Sequence, residues 1–98
     1  MIRIGSIEVS DWEVYGDNVS ITFIEHKYEY NPPSDTDCIC ICKSSDGYSL
    51  WFGETWIYEL ICQVTPNNEL LRLYETIDDA KASVDYYLKK LQKLVMFL

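Results

Sequence analysis

A chain of 98 residues with 48% hydrophobic and 14% aromatic residues can bury a core, and its length fits one domain spanning 1–98. Its formal net charge of −8 weighs against direct contact with nucleic acid or an anionic membrane surface and favours a basic partner. Met1-Ile2-Arg3-Ile4-Gly5 lacks the apolar stretch of a signal peptide and no run reaches transmembrane length, so a cytoplasmic location with reduced cysteines is expected.

A first strand is expected over 2–9, with Ile2, Ile4, Ile7 and Val9 apolar and a bulge or bend at Gly5-Ser6. A short strand over 12–15, a turn at Gly16-Asp17-Asn18 and an alternating strand over 19–26 then read as a hairpin, with Val19, Ile21 and Phe23 against Ser20 and Thr22. Residues 27–31 continue extended, with Tyr28 and Tyr30 on one side and Lys27 and Glu29 on the other. Asn31-Pro32-Pro33-Ser34-Asp35-Thr36-Asp37 is the strongest loop signal, because two prolines bar a ladder and Ser, Asp and Thr favour local turns.

The strand expected over 38–43 is apolar on both sides, Ile39 and Ile41 on one, Cys38, Cys40 and Cys42 on the other, which suits a central position. Ser44-Ser45-Asp46-Gly47 turns the chain into a strand over 48–52, which Gly53-Glu54-Thr55 breaks. The pattern then predicts the longest strand over 56–64, a turn at Pro66-Asn67-Asn68 and a last strand over 70–74.

Residues 76–98 read as one amphipathic helix. Ile77, Ala80, Val84, Leu88, Leu91, Val95 and Leu98 recur at three and four, and Asp78, Lys81, Asp85, Lys89 and Gln92 take the opposite side. Thr76 is the N-cap, Asp78 and Asp79 sit at the positive end of the helix dipole, and Lys89, Lys90 and Lys93 lie towards its negative end. The helix spans ~30 Å, enough to cross a small sheet. The expected fold class is α+β: an antiparallel β-meander of five to seven strands with one long C-terminal α-helix packed on one face.

Cys38, Cys40 and Cys42 would line up ~7 Å apart in a flat strand, too far for a disulfide between neighbours. With Cys62 or His26 they would make up a zinc set. Zinc ligands prefer a two-residue spacing across a knuckle turn, so the cysteines are expected to be small, metal-free core residues. His26 is the only histidine, and periodicity does not place it beside a cysteine. Ser44-Ser45-Asp46-Gly47 is ordinary turn chemistry. No catalytic residue, metal ligand or cofactor is assigned, and the chain is not expected to be an enzyme.

The acidity lies before the helix. From Ala80 onward Lys81, Lys89, Lys90 and Lys93 outnumber Asp85, whereas between Glu8 and Asp37 the carboxylates Glu8, Asp11, Glu13, Asp17, Glu25, Glu29, Asp35 and Asp37 face only Lys27. The chain also holds 3 Trp, 8 Tyr and 3 Phe, more than one helix can cover, so some belong on an uncovered face as interface anchors. Glu25, Tyr28, Glu29, Tyr30, Asp35 and Asp37 combine charge with aromatic surface and are the expected partner-binding residues.

The size, the acidity and the Thr76-Ile77-Asp78-Asp79-Ala80-Lys81 helix opening after a meander resemble the small acidic inhibitor proteins of phages and mobile elements, of the anti-CRISPR and anti-restriction type. The resemblance implies a stoichiometric inhibitor of a basic nucleic-acid-binding protein, such as a CRISPR effector or a nuclease, met in the host cytoplasm if the chain is phage-encoded. Toxin-immunity proteins share the style, since nuclease toxins are basic. The other alternative is a small structural or assembly module that forms a homodimer through its bare sheet face and the apolar run 94–98.

Overall fold

The computed structural model describes residues 2–25 and 36–96, the last two and Glu25 by their backbone alone. Strands β1 (Ile2–Ile4), β2 (Ile7–Val9), β3 (Glu13–Tyr15), β4 (Asn18–Glu25), β5 (Cys38–Ser44) and β6 (Gly47–Phe52) form one six-stranded antiparallel sheet, in the order β1-β2-β4-β5-β6 with β3 also on β4. Helices α1 (Thr55–Cys62), α2 (Asn67–Leu70) and α3 (Ile77–Met96) follow. The α+β class, the meander and the long C-terminal helix are as the sequence reads.

The expected first strand is two. Ile4 pairs with Ile7 across a tight turn, and Gly5 supplies the positive φ of 61° that its first central position needs. Gly16, with φ 62°, does the same between Tyr15 and Asn18. The bulge lies further on. Val9 pairs with Phe23 and Glu13 with Ser20, so Ser10, Asp11 and Trp12 oppose only Ile21 and Thr22. Ser10 N–H donates to the Thr22 carbonyl and Thr22 N–H to Ser10 Oγ, both at 2.9 Å, which satisfies the backbone where the ladder slips. The extra residue turns Trp12 onto the core.

Two further expectations are corrected. The strand read over 56–64 is helix α1, with Ile57 and Ile61, one turn apart, buried against the sheet. The strand read over 70–74 is helix α2 and a short connection, which touches the sheet as a strand only where Tyr74 bridges Tyr48. At the start of α3, Asp79 N–H donates to Thr76 Oγ1 at 3.1 Å, the cap that the sequence indicates.

Helices α1 and α3 cover the same side of the sheet. Ile4, Val9, Ile21, Phe23 and Ile39 from the strands meet Ile57, Ile61, Val84, Leu88 and Leu91 in one cluster. Val19, Ile41, Tyr74 and Ala80 form a second cluster beside the start of α3. Phe23 and Trp56 meet edge to face at 6.0 Å, and Phe52 and Tyr58 at 5.3 Å, which fastens α1. No helix among the described residues is long and apolar enough to cross a membrane.

Candidate functional site

Strand alternation puts Ser20, Thr22, Cys38, Cys40, Cys42, Ser49 and Trp51 on the side of the sheet away from the helices. Trp51, opposite Cys40, is half exposed, and Tyr15 on β3, across the sheet from β6, more so, its hydroxyl donating to Glu13. These two aromatics lie where the excess of aromatic residues suggested. Trp56 and Tyr58 belong to α1 instead.

The cysteine row is not evenly spaced. Cys42 Sγ donates to Cys40 Sγ at 3.4 Å, closer than a flat strand allows, so the two side chains lean together. Burial first, and then the Cys42 thiol beside it, push the Cys40 thiol up to about 12. Cys40 is thereby held protonated and poorly nucleophilic. Among the described residues no group of three or more His, Cys, Asp or Glu is placed to hold a metal ion.

Of the expected partner-binding residues, Tyr28, Glu29, Tyr30 and Asp35 lie outside the described residues. Glu25 ends β4 and Asp37 precedes β5. The Asp37 carbonyl accepts from Phe23 N–H at 2.7 Å, which brings both to the same end of the sheet. Glu54 joins them, its Oε1 accepting from Thr36 Oγ1 at 2.9 Å.

A larger acidic grouping, which the sequence reading missed, lies at the other end. Asp17 and Asp46 occupy the β3–β4 and β5–β6 turns. Two strands separate those turns, so they fall at the same end of the meander. Lys43 N–H donates to Asn18 Oδ1 at 3.1 Å and ties them together. The Tyr48–Tyr74 bridge brings Glu75, Asp78 and Asp79 to that end as well. All five of these carboxylates are exposed. Lys43 and Lys81 lie among them, and Lys81 Nζ lies 5.9 Å over the Trp12 ring. Helix α3 then runs to the far side of the sheet, where Arg3, Lys89, Lys90 and Lys93 line a concavity of about 690 Å³. The Gln92 side chain donates to the Arg3 carbonyl at 2.9 Å and holds that end of the helix to β1.

What the fold and surface define is an α+β domain with its helices on one side of an antiparallel sheet and its charge divided along its longest helix. No protein-family model, curated protein or solved structure matches the chain.

Proposed function

We propose that the protein is a non-enzymatic, stoichiometric inhibitor that binds a basic nucleic-acid-handling protein, in the manner of anti-CRISPR and anti-restriction proteins, and acts in the cytoplasm. The observation that supports this reading is the clustering of exposed Asp17, Asp46, Glu75, Asp78 and Asp79 at one end of the sheet, away from Arg3, Lys89, Lys90 and Lys93. A channel that holds nucleic acid is lined with Lys and Arg, and a surface that enters it must carry negative charge. Asp37 adds a carboxylate at the opposite end, beside the Glu25 end of β4. Tyr28, Glu29, Tyr30 and Asp35, which lie outside the described residues, enter this proposal through their sequence alone.

The test is inhibition of candidate CRISPR effectors and nucleases at low and at moderate salt. Asp17→Lys/Asp46→Lys and Glu29→Lys/Asp35→Lys/Asp37→Lys are compared with Lys89→Glu/Lys93→Glu at equal folded concentration. Loss of inhibition in an acidic set, with the lysine pair unaffected, is the expected result. The reverse pattern counts against the reading.

Half-exposed Trp51 on the open side of the sheet favours a second reading, an assembly module that self-associates through that side. Sedimentation of wild type against Trp51→Ser decides it: a dimer that the substitution dissolves would favour assembly over inhibition.

A further inference from the structure

Strand β6 is an edge of the sheet, and its sequence from Gly47 to Phe52 carries no charge and no proline to blunt that edge. Among the described residues its outer side is bonded at one point, where Tyr48 and Tyr74 exchange N–H to carbonyl bonds of 2.8 Å in both directions. That pair fixes the phase of the edge. Antiparallel residues bond one neighbour and the other in alternation. Tyr48 turns its N–H and C=O outward, so Leu50 and Phe52 do too, while Ser49 and Trp51 bond β5. The bond of 2.9 Å from Gly53 N–H to the Cys38 carbonyl falls in the same alternation.

The chain itself begins to pair with this edge and then leaves it. Continued pairing from Tyr74 would set 70–72 beside Leu50 and Phe52. Instead Leu70 closes α2, and Leu71 has φ −98° and ψ 3°, which is not extended backbone. A groove of about 330 Å³ remains between β6 and Leu71, with Tyr58 of α1 beside it and Glu54 at one end.

We propose that this groove takes up an extended, basic segment of a partner protein, added to the sheet as a further strand beside β6. The outward N–H and C=O groups of Leu50 and Phe52 select an extended chain, because a helix has no backbone groups to offer them. Leu71, 71% exposed on the opposite wall, offers an apolar contact to a side chain of that strand. The charge of the occupant follows from the two ends of the edge. Asp46 precedes β6 and Glu75 follows Tyr74 at one end, and Glu54 closes the other. Among the described residues two cations lie nearby: Lys43 pairs with Tyr48 from β5, and Arg72 is engaged by Glu69 at 3.7 Å and by the Tyr74 ring at 4.3 Å, so the carboxylates outnumber them. A second copy would bring its own charge of −8 against these carboxylates, which disfavours it as occupant. The nature of the partner, a nucleic-acid-handling protein, rests on the inhibitor reading; the sign of its charge rests on Asp46, Glu75 and Glu54, and the added strand on the backbone of β6.

The probes are capped peptides of alternating Lys and Val, the same with Glu for Lys, and the Lys peptide with alternate backbone amides N-methylated. Amide exchange and chemical shifts are followed at Leu50 and Phe52 of the whole protein at low salt. The Lys peptide should slow exchange at those two amides, and N-methylation should abolish the effect. Leu71→Lys, at an exposed position that leaves the core intact, should weaken the Lys peptide about tenfold. No protection at Leu50 and Phe52, or protection indifferent to N-methylation, overturns the added strand. Equal binding of the Glu peptide overturns the basic occupant, and protection of the same amides in a peptide-free dimer replaces it with a second copy. Failure to inhibit any nuclease while the Lys peptide still binds at β6 removes the inhibitor reading alone, so the two failures are distinguishable.

Discussion

Gly53 sits where the backbone leaves no room for a side chain. A Cβ there would lie 1.8 Å from the Thr36 carbonyl oxygen. Gly53→Ala must push Thr36 aside, and with it the hydrogen bond from Thr36 to Glu54. The expected loss is about 1–3 kcal/mol in urea unfolding. Gly16→Ala is the comparison, since nothing lies within 4 Å of a Cβ at Gly16 and only its φ of +62° is strained. If Gly53→Ala is no worse than Gly16→Ala, the 36–37 segment yields freely. Cys40 makes a second expectation at this scale. Its folded pKa, about 12, lies above the ordinary 9.0, so the folded state keeps the proton longer than the unfolded chain. This contribution to stability is complete below pH ~9 and is lost as pH rises from there towards ~12. Thermal unfolding of Cys40→Ala should show a shallower alkaline decline than wild type. An identical decline would remove Cys40 as its source.

Among the elements, α3 was legible because its apolar spacing, its cap and its charge order agree, and Ala80, Val84, Leu88 and Leu91 are indeed fully buried. The segment 56–64 was not. Trp56-Ile57-Tyr58-Glu59-Leu60-Ile61-Cys62 is apolar at nearly every position and satisfies the helix and strand periods alike, and its Trp, Ile and Tyr favour a strand. The tertiary setting decides: β6 ends at Phe52, and only a helix returns Ile57 and Ile61 to the side of the sheet that α3 covers. The strand expected over 70–74 failed for a related reason. Leu70 and Tyr74 are buried there, but Leu71 and Leu73 between them are 71% and 50% exposed, and Leu70 is buried as the end of α2, not as a strand residue. These placements give a paired expectation. Leu88→Ala should cost about 2–5 kcal/mol, since it empties a closed site between α3 and the sheet. Leu73→Ala should stay within about 0.5 kcal/mol. A large loss at Leu73 would mean that the connection packs as the sheet's next strand after all.

For the whole molecule, the sequence carried the sign of the charge and its division between the strands and the last helix, but not its place. Asp17 and Asp46 were read as turn residues, and Asp78 and Asp79 as helix-start residues. Their gathering depends on α3 starting beside the Tyr48–Tyr74 bridge, which no local pattern encodes. Of the expected partner-binding set, the backbone joins Glu25 and Asp37 at one end of the sheet through the Phe23–Asp37 bond. The arrangement has a consequence for stability that is independent of any partner. At the turn end five carboxylates outnumber Lys43 and Lys81 and repel, and Lys89, Lys90 and Lys93 are too far along α3 to offset them through salt solution. Raising the ionic strength from about 0.01 M to about 0.15 M shortens the screening length from ~30 Å to ~8 Å, so the melting temperature should rise over that range. Asp46→Lys, at an exposed turn, should raise it further at low salt, and the gain should shrink as salt is added. A melting temperature that falls with salt, or an Asp46→Lys gain that salt leaves unchanged, would mean that attraction between the two ends of α3 outweighs the crowding of carboxylates at its start.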